Sequence, residues 1–183
     1  KSSRKTMMGL WSELLVIKQV ENSEIWADKW HESSRSTFDF RFQTIGIDVK
    51  SFSGNKREHF FKLEQLRNIS VKKTFVISMC LTEDDLGPNV FDLYKEIKRK
   101  IISKKLRKKI EKQIFKKSGD DNDDLKRYNI DTALESLRLI DTKDIPCLEE
   151  DPPSGVSEVK FKSDCSNIPM IKFEKENQEN IEK

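Results

Sequence analysis

Histidine, cysteine and long apolar runs are all scarce in this chain of 183 residues, and each shortage excludes a class of function. His31 and His59 are the only histidines, too few and too far apart in sequence for a histidine-based metal centre or a Ser-His-Asp arrangement. Cys80, Cys147 and Cys165 form no CxxC pair, and an odd count without close spacing fits neither a disulfide framework nor a zinc site. A reducing cytoplasm is the simpler expectation. No glycine-rich phosphate loop is present, so any use of ATP would fall to a partner. No apolar run approaches the roughly 20 residues that cross a bilayer, and no secretory leader is visible. The expectation is a soluble cytoplasmic protein without a membrane partner. The chain begins at Lys1 instead of Met and a helical pattern is already under way at Met7, which suits a start inside a longer polypeptide.

What is present suffices for one domain. Hydrophobic residues make up 35% and charged residues 37%, and eleven Phe with three Trp supply large core side chains. The formal net charge is only +3, so local charge is more informative than the total. Residues 95–117 carry twelve Lys and Arg against Glu96 and Glu111. Such a field attracts nucleic-acid phosphates, and Lys104, Lys105, Lys108 and Lys109 are the candidate contacts. The plainer account is a solvated helix face, since no interleaved aromatics offer base stacking.

Along the chain, Leu10, Trp11, Leu14, Leu15 and Ile17 recur at helical spacing over residues 7–19, with Glu13 inside the apolar arc. A polar turn at 33–37 leads to Phe38-Asp39-Phe40-Arg41-Phe42, whose alternation predicts a strand with one buried face, and residues 45–52 alternate likewise. Residues 60–66 read as strand then helix, with the type left open. The nearly continuous apolar run 74–81 suits a central strand buried on both faces. One long helix is expected over 91–117, ended by Gly119, then an acidic spacer containing Asp120, Asp121, Asp123 and Asp124, and a second helix over 125–140. Those aspartates lack the order and glycine of an EF-hand, so an acidic helix start is the expected role. Strands are expected at 156–162 and 168–173, and residues 174–183 as a charged, frayed tail.

Chemistry concentrates in the hairpin. If Gln43-Thr44 is a two-residue turn, Phe42 pairs with Ile45, and Asp39 falls opposite Asp48, with Cβ atoms ~4.5–5.5 Å apart. Two such carboxylates repel each other unless a cation sits between them. Lys50 stands on the same face, two residues beyond Asp48. Gln-Thr is not a favoured turn pair, and a longer loop would break the register. Carboxylate oxygens select Mg²⁺ or Mn²⁺, such ions activate water and neutralise phosphate charge, and a neighbouring lysine stabilises the anion. An outward-facing charged hairpin is the ordinary alternative for Asp-x-Lys alone.

Asp39 followed after eight residues by Asp48-Val49-Lys50, and preceded by a helix bearing Glu13, resembles the PD-(D/E)XK nucleases. More narrowly, Gly9-Leu10-Trp11-Ser12-Glu13-Leu14-Leu15, Phe38-Asp39-Phe40-Arg41-Phe42, Ile47-Asp48-Val49-Lys50-Ser51 and Gly155-Val156-Ser157-Glu158-Val159-Lys160-Phe161 are similar to a family of PD-(D/E)XK motif proteins in bacterial restriction and phage-defence islands. The resemblance implies an α/β, restriction-endonuclease-like domain over residues 7–173, a mixed β-sheet flanked by helices. It further implies that Asp39, Asp48 and Glu13 bind Mg²⁺ or Mn²⁺, that Lys50 is catalytic, and that Gln65 is a polar helper. Phe38 stands where the family name has Pro, and Asp48 where Glu is commoner; the second keeps a carboxylate.

The implied activity is Mg²⁺-dependent DNA cleavage within a bacterial restriction or phage-defence system. DNA is the expected partner, alongside an ATPase/helicase or methyltransferase subunit or a second copy of the chain. Two other readings stay open at this point: a DNA-binding scaffold subunit that keeps the fold without cutting, and an RNA-cleaving toxin.

Overall fold

Phe40 and Phe42 bury one face of a short hairpin that forms one edge of the main sheet. In the computed structural model, residues 2–31, 37–67, 70–118 and 126–183 are described, with side chains at all of these except 2–6 and 117–118. The expected turn at 33–36, Gly119 as helix terminator, and the acidic spacer with Asp120, Asp121, Asp123 and Asp124 lie outside the described residues.

Strand β1 (Phe40–Arg41) pairs antiparallel with β2 (Ile45–Phe52), Phe40 opposite Ile47 and Arg41 opposite Gly46. This is the register expected from a two-residue turn at Gln43-Thr44, and the Phe42 N–H closes it on the Ile45 carbonyl at 2.9 Å. The strand is shorter than the 38–42 alternation predicts. Phe38 leaves the alternation to lie across Gly46, where a Cβ would come within 2.5 Å of its ring, so only glycine fits.

Strand β3 (Glu58–Lys62) and α3 (Leu63–Leu66) lead into β4 (Lys73–Cys80), which lies parallel to β2. Strands β5 (Arg138–Asp141) and β7 (Ile171–Lys172) extend the sheet in the order β1-β2-β4-β5-β7, while β3 pairs with β6 (Lys160–Asp164) as a separate ribbon. The arrangement is a mixed five-stranded sheet flanked by helices, as in restriction-endonuclease-like folds. Period-two geometry explains the continuous apolar run of β4: Ile77 and Met79 enter the main core, and Val76 joins Phe61, Ile140, Ile145 and Cys165 on the other face.

Helix α1 (Ser2–Gln19) packs on the main-core face, with Leu10, Trp11, Leu14, Leu15 and Ile17 fully buried. Helix α2 (Ser23–Lys29), which sequence periodicity did not reveal, places Trp26 edge-on to Phe40, Phe42 and Phe173, with ring centroids 5.0–5.6 Å apart. A polar network fastens the β3–β6 ribbon to the sheet. Arg57 donates to the Ser78 hydroxyl at 2.6 Å and to the Ser136 carbonyl at 2.9 Å, and the His59 Nε2 lies 2.8 Å from the same Ser78 hydroxyl. Burial and the Arg57 charge push the His59 imidazole down to about 3, so it is neutral.

Three expected elements require correction. The helix expected over 91–117 is two helices, α4 (Val90–Lys100) and α5 (Lys104–Ser118). No proline or glycine marks the break. Instead the Glu24 carboxylate accepts from the N–H groups of Ile102 at 2.9 Å and Ser103 at 2.7 Å, capping α5 from another helix. The helix expected over 125–140 shrinks to α6 (Ile130–Glu135), because Leu139 and Ile140 pair with β4 as strand. The tail is not frayed. Residues Lys175–Glu182 form α7, which buries Gln178 and Ile181; the Gln178 side-chain amide oxygen accepts from the Glu21 N–H at 3.2 Å, and the Glu182 carboxylate accepts from Trp26 and Asn22 at 2.9 and 2.8 Å. Folded structure therefore continues past residue 173.

Candidate active site

Every carboxylate nominated from the sequence converges at the open end of the β1–β2 hairpin. Continuing the hairpin register puts Asp39, one residue before β1, opposite Asp48 on β2. The Asp39 carboxylate accepts the Val49 N–H at 2.8 Å, and the Asp39 main chain in turn supports the ionised Asp48. The Gln65 amide donates to Asp48 at 2.9 Å, while its oxygen accepts the Lys62 N–H at 3.0 Å. Gln65 thus links Asp48 to the start of its own helix.

Glu13 reaches the same place from α1. It is 5% exposed, and one of its carboxylate oxygens accepts from the Trp30 indole at 2.7 Å and lies 2.8 Å from the His31 Nε2. His31 adopts a left-handed backbone with φ of 41°, and its N–H donates to the Asp39 carbonyl at 2.8 Å. That unusual turn aims the imidazole at Glu13. Lys50 lies with its ammonium 5.6 Å from the Phe61 ring centre.

These groups are tuned by crowding. Burial, then the neighbouring Glu13 and Asp48 charges, hold the Asp39 carboxyl well above the usual carboxylate range. Burial raises Asp48 to about 6, against the opposing pull of Lys50. Buried carboxylates this close are costly in the absence of a cation.

Matched against protein families, residues 1–166 fit DUF4420, described as "Putative PD-(D/E)XK family member". The chain belongs to this family. No curated protein and no solved structure matches it. As a PD-(D/E)XK family member, the chain carries the signature as Asp39, then Asp48-Val49-Lys50, on the expected hairpin.

The donor set fits a divalent cation. One ligand atom each from Glu13, His31 and Asp39 lie within 4.8 Å of one another, and the raised Asp39 and Asp48 carboxyls would be relieved by positive charge. His31 is the residue that sequence reasoning missed. It stands isolated in the sequence, and no spacing motif ties it to Glu13; only the turn after α2 does.

The α5 lysines do not behave as one group. Lys104, Lys105 and Lys108 are exposed, whereas the Lys109 ammonium donates to the carbonyls of Ala27 at 3.0 Å and Asp28 at 2.8 Å, closing the last turn of α2. Its place among the phosphate contacts is corrected accordingly: Lys109 is a C-terminal helix cap.

Proposed function

We propose that the protein is a metal-dependent endonuclease that hydrolyses DNA phosphodiester bonds as the nuclease component of a bacterial restriction or phage-defence system. The observation that carries this reading is the convergence of Glu13, Asp39, Asp48 and Lys50, from one helix and one hairpin, on a single site. A scaffold subunit has no use for opposed buried carboxylates, which destabilise the fold unless they hold a cation.

Glu13, His31 and Asp39 would hold Mg²⁺ or Mn²⁺, with Asp48 beside them. When bound, such an ion supplies activation of water and neutralisation of phosphate charge. The chain's own groups do the rest. Lys50 places a positive charge where negative charge grows at the scissile phosphate and orients the attacking water. Gln65 fixes the Asp48 carboxylate and the Trp30 indole fixes that of Glu13, which limits the reorganisation that accompanies the reaction. The imidazole favours Mn²⁺ over Mg²⁺, because nitrogen donors suit later first-row metals better.

The test is cleavage of DNA and of RNA by the purified chain with Mg²⁺, Mn²⁺ or chelator. Metal-dependent DNA cleavage that Asp48→Ala and Lys50→Ala each abolish is expected. Cleavage of RNA alone would move the substrate assignment, and undiminished cutting by both variants would end the nuclease reading at this site.

A further inference from the structure

A groove of about 540 Å³ runs from the site along β2, between α1 and the β3–β6 ribbon. Its floor is Val49–Phe52 backbone and side chains, including Lys50, and its near wall is Met8 and Gly9 of α1. Gly9 adjoins the carboxylates, since a Cβ there would lie in ordinary contact, 3.8 Å, with a Glu13 oxygen. The far wall carries Lys56, Lys162 and Phe60. Phe60 is 60% exposed although it lies on a paired strand, and the Lys162 ammonium stands 5.9 Å from its ring centre while pairing with Glu58. His59, also in this wall, is neutral and adds no charge.

Resting on the nuclease reading, we infer that this groove binds single-stranded nucleic acid, with Phe60 as a stacking platform for an unpaired base next to the scissile phosphate and Lys56 and Lys162 on the flanking backbone. A strand running from Lys50 into the groove meets Lys56, the Lys162–Glu58 pair and the Phe60 ring, which is 60% exposed beside Lys162. That combination recognises single strands without reading sequence. In a duplex the base faces are covered by their neighbours, so Phe60 would find nothing to stack on. The volume falls within the ~300–1,000 Å³ of sites that hold small ligands, room for one nucleotide.

The experiment uses the full chain carrying Asp48→Asn to prevent cutting, and measures binding of a labelled oligothymidylate of about 16 nucleotides, within the site sizes of single-strand binders, and of a duplex of equal length. Single strand should bind more tightly. Adding Phe60→Ala should weaken single-strand binding between about 5- and 150-fold, the usual range for one stacked base, with duplex binding unchanged and Phe60→Trp retaining affinity. Lys56→Ala should lower the salt slope on single strand by about 0.7. Thermal melts control for folding, which an exposed Phe60 barely supports.

Equal losses on both polymers, no effect of Phe60→Ala, or no binding of either polymer would each overturn the inference; the last would leave the groove to a protein partner. Cleavage by the parent chain is measured in parallel. Cutting without a Phe60 effect removes the groove and keeps the nuclease, and Phe60-dependent binding without any cutting does the reverse.

Discussion

Asp39 and Asp48 face each other across the open end of the β1–β2 hairpin, and the Asp39 carboxylate is anchored 2.8 Å from the N–H of Val49, the residue after its opposite number. The two carboxylates are therefore held together by backbone geometry despite their repulsion, and burial adds to the cost. Such an arrangement costs folding stability in the absence of a cation.

That cost gives the first prediction. The Asp48 carboxyl titrates near 6 in the folded chain and near its ordinary, lower value when unfolded, so the folded state is fully favoured only below the unfolded value and loses stability as pH rises through 6. In chelator at pH 8, Asp48→Asn should be more stable than the parent by on the order of 1–3 kcal/mol, and the gap should close near pH 4. Paired thermal melts at the two pH values check it. A less stable Asn variant at pH 8 would show that the carboxylate is not strained.

Metal binding should depend on His31. Titration of Mn²⁺ into the parent chain is expected to raise its melting temperature, and chelator to reverse the shift. His31→Ala and Asp39→Asn should each weaken Mn²⁺ at least about tenfold, the smallest loss usual when a metal's supporting groups are removed. Unchanged Mn²⁺ affinity in His31→Ala would leave His31 as a hydrogen-bond partner of Glu13 alone.

His59 predicts an acid sensitivity of opposite sign. Its folded value near 3 lies below that of an unfolded histidine, so its contribution is complete above about 6.5 and is lost as pH falls toward 3. Replacing it by glutamine, which can still reach the Ser78 hydroxyl, should flatten the fall in unfolding free energy between pH 6 and 4 by up to about 1.4 kcal/mol per pH unit. Urea denaturation across that range, parent against His59→Gln, is the measurement, and parallel curves would refute the assignment.

Glu24 should matter to stability far beyond an exposed acid's usual share. Its carboxylate caps the first N–H groups after the α4–α5 break, so Glu24→Ala should cost about 0.5–2 kcal/mol in urea denaturation. A change within experimental scatter would mean that α5 keeps its place by packing alone.

The basic helix separates two roles. Charge reversal at Lys104, Lys105 and Lys108, all exposed, should flatten the salt dependence of nucleic-acid binding if the segment meets phosphates, with the fold intact. Lys109→Ala should instead lower the melting temperature, because it uncovers two carbonyls at the end of α2. A salt slope equal to the parent's after triple reversal would make the run a solvated face.

What the sequence determined by itself was local. Alternation of Phe40 and Phe42 against Ile47 and Val49 specified which face of the hairpin is buried, and a turn of two residues then left Asp39 opposite Asp48, because side-chain period and loop length together set register. The apolar run of β4 likewise declared a strand covered on both faces. Tertiary structure decided everything that depends on side chains meeting from distant segments. The capture of Glu13 by Trp30 and His31, the bond from Gln65 to Asp48, the interruption between α4 and α5 by Glu24, and the docking of α7 through Gln178 and Glu182 each join residues whose separation carries no periodic signal. Their geometry exists only once the helices have packed on the sheet, since burial supplies both the proximity and the desolvation that make those contacts matter.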